Sequence, residues 1–258
     1  MSFIYIILSR GLVKMSKKKK SYQYKVRLKR GLCMRLLKAF LKIFKPKPEF
    51  INQSGGELEK KAIYLSNHAG ANGPMTYEMY FPLIYTGWGA HEMFGNYRER
   101  WNYLYHVFYR QKLHWGKAKA FFVATVFGVI SKRLYRGIGL IPTYTDGRFT
   151  TSLKTSCKIL DTDNPIFIFP EDSSKGYLEP PLAFNKGFIA MAKLYYKMRK
   201  IDLPVYSGYL LSGKVRKMVF GKPIYVNRLL AEGKSEDEIC RIALDNMQKI
   251  YYEYSEQS

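Results

Sequence analysis

The chain has 258 residues, 47% hydrophobic and 16% aromatic with 22 Tyr, enough for one α/β domain with a sizeable core and incompatible with a disordered protein. Its net charge of +23 is unevenly placed: residues 1–50 hold 15 Lys/Arg against one Glu, or +14, leaving +9 to the other 208 residues. Cys33, Cys157 and Cys240 form no C-x-x-C pattern, and His91, His106 and His114 lack ligand spacing, so no disulfide framework, metal site or cofactor is expected and a reducing compartment fits.

From the N-terminus, Met1 to Lys14 matches neither a complete signal peptide nor a domain element, which makes Met15 an alternative start. After the lysines at 17–20, residues 28–45 place Leu28, Leu32, Leu36, Leu37, Phe40, Leu41, Ile43 and Phe44 on a broad apolar arc. Arg35, Lys38, Lys42 and Lys45 fall on the narrower opposite side. This pattern predicts an amphipathic helix in an anionic membrane interface, each basic residue adding about 1 kcal/mol of attraction near the surface. Residues 1–50 are accordingly read as a basic leader with a membrane-surface helix, and 51–258 as the main domain, with 46–56 as linker.

A strand is expected at 62–66, a helix over 74–86 opened by Pro74, and an aromatic, loop-rich stretch at 87–114. A helix follows at 116–135. Its apolar run 120–130, bounded by Lys117, Lys119 and Lys132, suits either a core helix or an interfacial one. Then come a strand at 139–143, a helix at 150–160, a strand at 165–169, a helix at 186–199 and strands at 203–210 and 216–226. Ser235 with Glu238 reads as a capping box opening a last helix, whose apolar face carries Ile239, Ala243, Met247 and Ile250. The alternation implies an α/β fold with a mostly parallel central sheet flanked by helices. No segment reaches the roughly 18–20 apolar residues of a spanning helix, so a peripheral or monotopic position on the cytoplasmic face of a membrane is expected.

Chemistry concentrates at two strand ends. The 62–66 strand runs into Ser66-Asn67-His68 and a glycine-rich turn, and histidine is the usual general base near neutral pH. The 165–169 strand runs into Pro170, Glu171, Asp172, Ser173, Ser174 and Lys175, a group suited to an anionic, hydroxyl-bearing ligand. Gly70 and Gly73 permit positive φ, and the helix N-terminus after them offers N–H groups to an oxyanion or phosphate. Arg148 and Lys186 are further cations for an anionic head group.

These segments resemble the lysophospholipid and glycerol-phosphate acyltransferase family. Its successive motifs correspond to Asn67-His68 through Gly73, to Gly139-Leu140-Ile141-Pro142, to Phe169 through Lys175, and to Leu203-Pro204-Val205. Phe184 to Ala192 is similar to the lysine-glycine helix after the third motif, and the resemblance covers about residues 60–226. It implies a glycerolipid acyltransferase-like fold and acyl transfer from acyl-CoA or acyl carrier protein to a hydroxyl of a lysophospholipid-like acceptor. His68 is then the base, Glu171 holds the head group or the motif loop, and Ser173, Ser174, Lys175, Arg148 and Lys186 bind the anionic part.

The chain departs from the family at two places: Gly73 replaces the acid that orients the histidine, and Asp172-Ser173-Ser174 then Lys175 replace Gly-Thr-Arg. Changing the orienting Asp to Asn in a serine-protease triad lowers kcat by about 10⁴. A working site therefore needs another carboxylate. Asp172 is the first candidate and Glu78 the second, while Asn72 can hold the ring tautomer without bringing charge. The alternative is a catalytically impaired lipid-binding relative. A third reading, single-stranded nucleic-acid binding through interleaved aromatic and basic residues, has no recognition-module motif behind it, and no nucleic-acid partner is expected.

Overall fold

The computed structural model describes residues 30–70, 72–213 and 215–255. The opening Met1 to Lys14, Met15, the lysines at 17–20 and Leu28 lie outside the described residues. Among the described residues the order is α1 (Leu32–Phe44), β1 (Glu49–Asn52), β2 (Ile63–Leu65), α2 (Gly73–Tyr80), β3 (Thr86–Ala90), a 3₁₀ turn (His91–Phe94) and α3 (Tyr97–Asn102). A π-helical segment (Tyr103–Lys112), α4 (Lys117–Ile138), β4 (Ile141–Thr143), α5 (Phe149–Leu160) and β5 (Ile166–Ile168) follow. The chain closes with α6 (Gly187–Arg199), β6 (Pro204–Leu211), β7 (Lys217–Tyr225), α7 (Val226–Ala231) and α8 (Glu236–Ser255).

The seven strands form one sheet in the order β1-β7-β6-β2-β5-β3-β4. Every neighbouring pair is parallel except β6 with β7. The chain is thus α/β with a mostly parallel sheet. Strand alternation sorts the core into two faces. Ile63, Leu65, Ile166, Ile168 and Val205 pack under α5, α6 and α8. Tyr64, Phe167, Tyr206 and Phe220 join Tyr77 and Phe81 of the α2 segment in an aromatic layer, with Tyr64 stacked on Tyr206 at 4.9 Å. Tyr64, Tyr77, Tyr85 and Tyr206 are buried in this layer. A third cluster joins Met93, Leu104 and Tyr109 to the inner side of α4.

The differences from the sequence expectations have local causes. The helix expected to 86 stops at Tyr80, because Phe81 precedes Pro82 and is held extended at φ −61°, ψ 133°. The expected linker contains β1, an edge strand parallel to β7 with Glu49 opposite Lys217, and it spans the boundary expected at residue 50. The expected loop-rich stretch contains β3, whose two glycines hide its strand character, and α3, capped by Asn96 and Glu99 in a capping box. The box expected at α8 is present: the Glu238 N–H donates to Ser235 Oγ and the Ser235 N–H to Glu238 Oε2. No helix among the described residues is long and apolar enough to cross a membrane.

Candidate functional site

Strand register brings the two sequence clusters together. β2 and β5 are adjacent and parallel with Leu65 opposite Ile168. His68 and Glu171 each lie three residues beyond those partners, at the C-terminal edge of the sheet where open α/β folds present ligand sites. The His68 backbone N–H donates to Glu171 Oε1 at 3.0 Å, and His68 Nδ1 faces Glu171 Oε2 at 3.6 Å. Both side-chain atoms of that second contact are buried with no hydrogen-bond partner, so each is the other's neighbour of opposite polarity. The Glu171 side chain is 5% exposed and the imidazole 21%, so the carboxylate is buried while the ring keeps some access to solvent.

The surroundings hold this pair in place. Asn67 clips β2 to β6 by accepting from the Leu210 N–H at 2.8 Å and donating to the Leu210 carbonyl at 3.2 Å. Ser66 Oγ and the Tyr77 hydroxyl share a buried hydrogen bond. Burial raises the Tyr77 hydroxyl well above the ordinary tyrosine range, and the Ser66 contact opposes that shift. Asn185 donates to the Glu171 carbonyl at 3.1 Å, and Glu171 bridges Phe184, closing the loop after β5 on itself. The imidazole packs between Phe169 at 4.5 Å and Tyr177 at 4.4 Å, nearly parallel to the latter.

The carboxylate expected from Asp172 comes from Glu171 instead. Side chains alternate about an extended chain, so when Glu171 points at the imidazole its neighbour points away. Asp172 is exposed and accepts from the Ser174 N–H at 3.0 Å, which shapes the loop. Glu78 is also excluded from the pair: it is buried under α1, taking Arg30 at 2.8 Å and Lys38 at 3.2 Å. Asn72 is exposed and accepts from Lys45 Nζ at 2.8 Å, so it does not hold the ring.

Gly73 has a different reason from the one expected. Gly70 does take positive φ, at 62°, but Gly73 is required by close approach: a Cβ there would lie 2.2 Å from the His68 carbonyl oxygen. No side chain fits at that position with this turn, whether acidic or not. The Gly73 N–H donates to the same carbonyl at 2.9 Å, and Pro74 has no N–H. The start of α2 therefore spends its first donor on the turn rather than presenting it to an oxyanion.

Of the expected anion-binding residues, Ser173, Ser174 and Lys175 sit on the site loop, with Ser174 and Lys175 exposed. Arg148 is stacked on Tyr144 and paired with Asp146 at 2.6 Å. Lys186 reaches Asp237 at the start of α8, at 2.7 Å. Each cation is thus engaged by its own carboxylate, Asp146 for Arg148 and Asp237 for Lys186, which is a correction to the head-group role expected of them.

Sequence reasoning missed Lys112. It ends the π-helical segment, half-buried, with Nζ 5.5 Å from the centre of the Tyr177 ring that stacks on His68. Its carbonyl accepts from the Tyr177 N–H, while Gln111 donates to the Ser174 carbonyl and His114 contacts the Lys175 carbonyl. The segment thereby clamps the site loop. Burial pushes the Lys112 ammonium below the ordinary lysine range, opposed by the negative charges of Glu171, Glu92 and Asp172. Its only sequence signal was one basic residue in an aromatic stretch.

No protein-family model matches the chain, and no curated protein matches it in sequence.

Proposed function

We propose that this chain transfers a fatty acyl group from a carrier thioester, acyl-CoA or acyl carrier protein, to a hydroxyl of a lysophospholipid or related phosphate-bearing acceptor at a membrane surface. The observation that carries this reading is the buried Glu171 carboxylate against His68 Nδ1 at the ends of adjacent parallel strands. With Nδ1 turned to the carboxylate, Nε2 is the nitrogen left for a substrate proton.

In this mechanism the acceptor O–H gives its proton to His68 Nε2 as the oxygen attacks the thioester carbonyl carbon. The tetrahedral intermediate collapses with cleavage of the C–S bond, and the imidazolium returns the proton to the departing sulfur. Glu171 keeps the ring tautomer and offsets the imidazolium charge, as the carboxylate does in a hydrolase triad. Lys112 and Lys175 attract the acceptor's anionic group, and Ser173 and Ser174 add hydroxyl donors. The glycerolipid acyltransferase-like architecture and the membrane-surface role of α1 belong to the same proposal, as does a peripheral position on the cytoplasmic face.

The test is incubation of wild type and His68→Ala with lipid extracts and labelled acyl donors, read by mass analysis. A new acylated lipid that appears only with His68 is the expected result. No His68-dependent product with either donor would replace this reading with that of a lipid-binding relative that has lost turnover.

A further inference from the structure

Two neighbouring helices are turned with their apolar side chains outward. α1 faces the domain with Met34, 4% exposed, and with polar contacts: Lys38 to Glu78 and, just past its end, Lys45 to Asn72. Leu32, Leu36, Phe40 and Ile43 face solvent, Ile43 at 75% exposure. α4 packs against α1 and follows the same rule. Its inner side is made of Ala120, Ala124, Gly128 and Ser131, while Phe122, Val126, Val129 and Ile130 point out, Phe122 at 69%. A helix stable in water buries its apolar stripe, and adjoining exposed stripes of this kind mark an interaction surface.

Charge identifies the occupant. Neither α1 nor α4 contains an Asp or Glu, and Lys119, Arg133 and Arg136 flank the apolar ridge of α4. Phe122, Val126, Val129 and Arg133 fall at i, i+4, i+7 and i+11, one face of one helix. A second copy of this chain would set cation against cation across such a face, and a nucleic acid has no use for its apolar ridge. Beside the ridge, a shallow groove of about 400 Å³ is lined by Tyr97, Arg98, Trp101, Asn102, Phe121 and Thr125. Aromatic rings with an arginine are the composition that settles at lipid headgroup depth.

We infer that α1 and α4 form a single docking face that inserts into the interface of an anionic bilayer, with α4 a second inserting helix beside α1. The apolar ridges reach the acyl boundary, and Arg98, Lys119 and Arg133 meet headgroup phosphates. This deepens the membrane part of the proposed function and is read without turnover.

The experiment is co-sedimentation of the full chain with phosphatidylcholine vesicles with and without phosphatidylglycerol, for wild type, Phe122→Ser/Val129→Ser, Leu36→Ser/Ile43→Ser and the α8 surface control Tyr252→Ser. Wild type and control are expected to bind the anionic vesicles, and each double variant to bind at least about tenfold more weakly. Brominated acyl chains are expected to quench wild-type tryptophan fluorescence, a readout that needs no variant to fold. Equal binding by the α4 double variant, absence of quenching, or binding to oligonucleotides but not vesicles would overturn the inference. So would a wild-type dimer that only the α4 substitutions disperse. His68→Ala is expected to bind vesicles as wild type does. Loss of transfer with binding intact then bears on the catalytic reading, and loss of binding with transfer to a water-soluble acceptor intact bears on the docking face.

Discussion

Glu171 does two things with its two oxygens: one accepts the His68 backbone N–H and the other faces the His68 ring. Glu171→Gln keeps the shape but removes the charge that offsets an imidazolium. By comparison with a triad aspartate, it should lower kcat by about 10²–10⁴. Asp172→Asn, whose hydrogen bond is to the loop and whose charge is the last of three acting on Lys112, should stay within about threefold of wild type, about 0.7 kcal/mol, when both are measured by steady-state acyl transfer. Gly73→Ala addresses the turn itself. Its methyl must displace the His68 carbonyl, so urea unfolding should register a loss of about 1–3 kcal/mol together with loss of transfer.

At the scale of elements, the π-helical segment and α1 each fix something distant in sequence. Lys112 is carried by the segment to the ring next to His68, although residue 112 is far from both strand-end motifs. A charge-assisted contact to an acceptor phosphate is worth about 1.5–3 kcal/mol, so Lys112→Met should raise KM for that acceptor by about 10–100-fold. An uncharged acceptor should show little change, which separates charge recognition from a general structural loss. α1 is tied down by the buried Glu78 with Arg30 and Lys38. Removing the shared carboxylate leaves two cations facing an apolar site. Glu78→Ala should therefore destabilise the chain by about 3–5 kcal/mol, seen as a lower urea midpoint and faster proteolysis near residue 45.

Across the whole molecule, charge and apolar surface overlap only in part. Residues 1–50 carry 15 of the 43 Lys/Arg and include α1 with its outward apolar side chains, whereas the second outward ridge, on α4, lies outside that segment. If the bilayer is the partner, the two should separate in salt. Replacing the four lysines at 17–20 with Gln should cost about 1 kcal/mol each at low ionic strength, an effect that fades as salt shortens the Debye length. The loss caused by Phe122→Ser/Val129→Ser should persist at high salt, because it removes apolar area rather than charge. Vesicle binding over a salt series measures both.

The amino-acid sequence alone determined most of the alternating elements, the capping box of α8 and the two strand ends that carry His68 and Glu171, because these are written in local periodicity and punctuation. It did not determine which carboxylate meets the imidazole. Asp172 and Glu171 are adjacent in the chain and chemically alike. The pairing of Leu65 with Ile168 across two strands about a hundred residues apart brings that loop to His68, and side-chain alternation there turns Glu171 to the ring and Asp172 away. The contacts that hold α1 to the domain were likewise not legible, since the buried Glu78 that takes Lys38 lies 40 residues away in the chain. Lys112 was hidden because its surroundings are assembled from distant segments, and β3 because its two glycines mask a strand pattern. Local sequence sets what each element is. Register and long-range packing decide which side chains share a site.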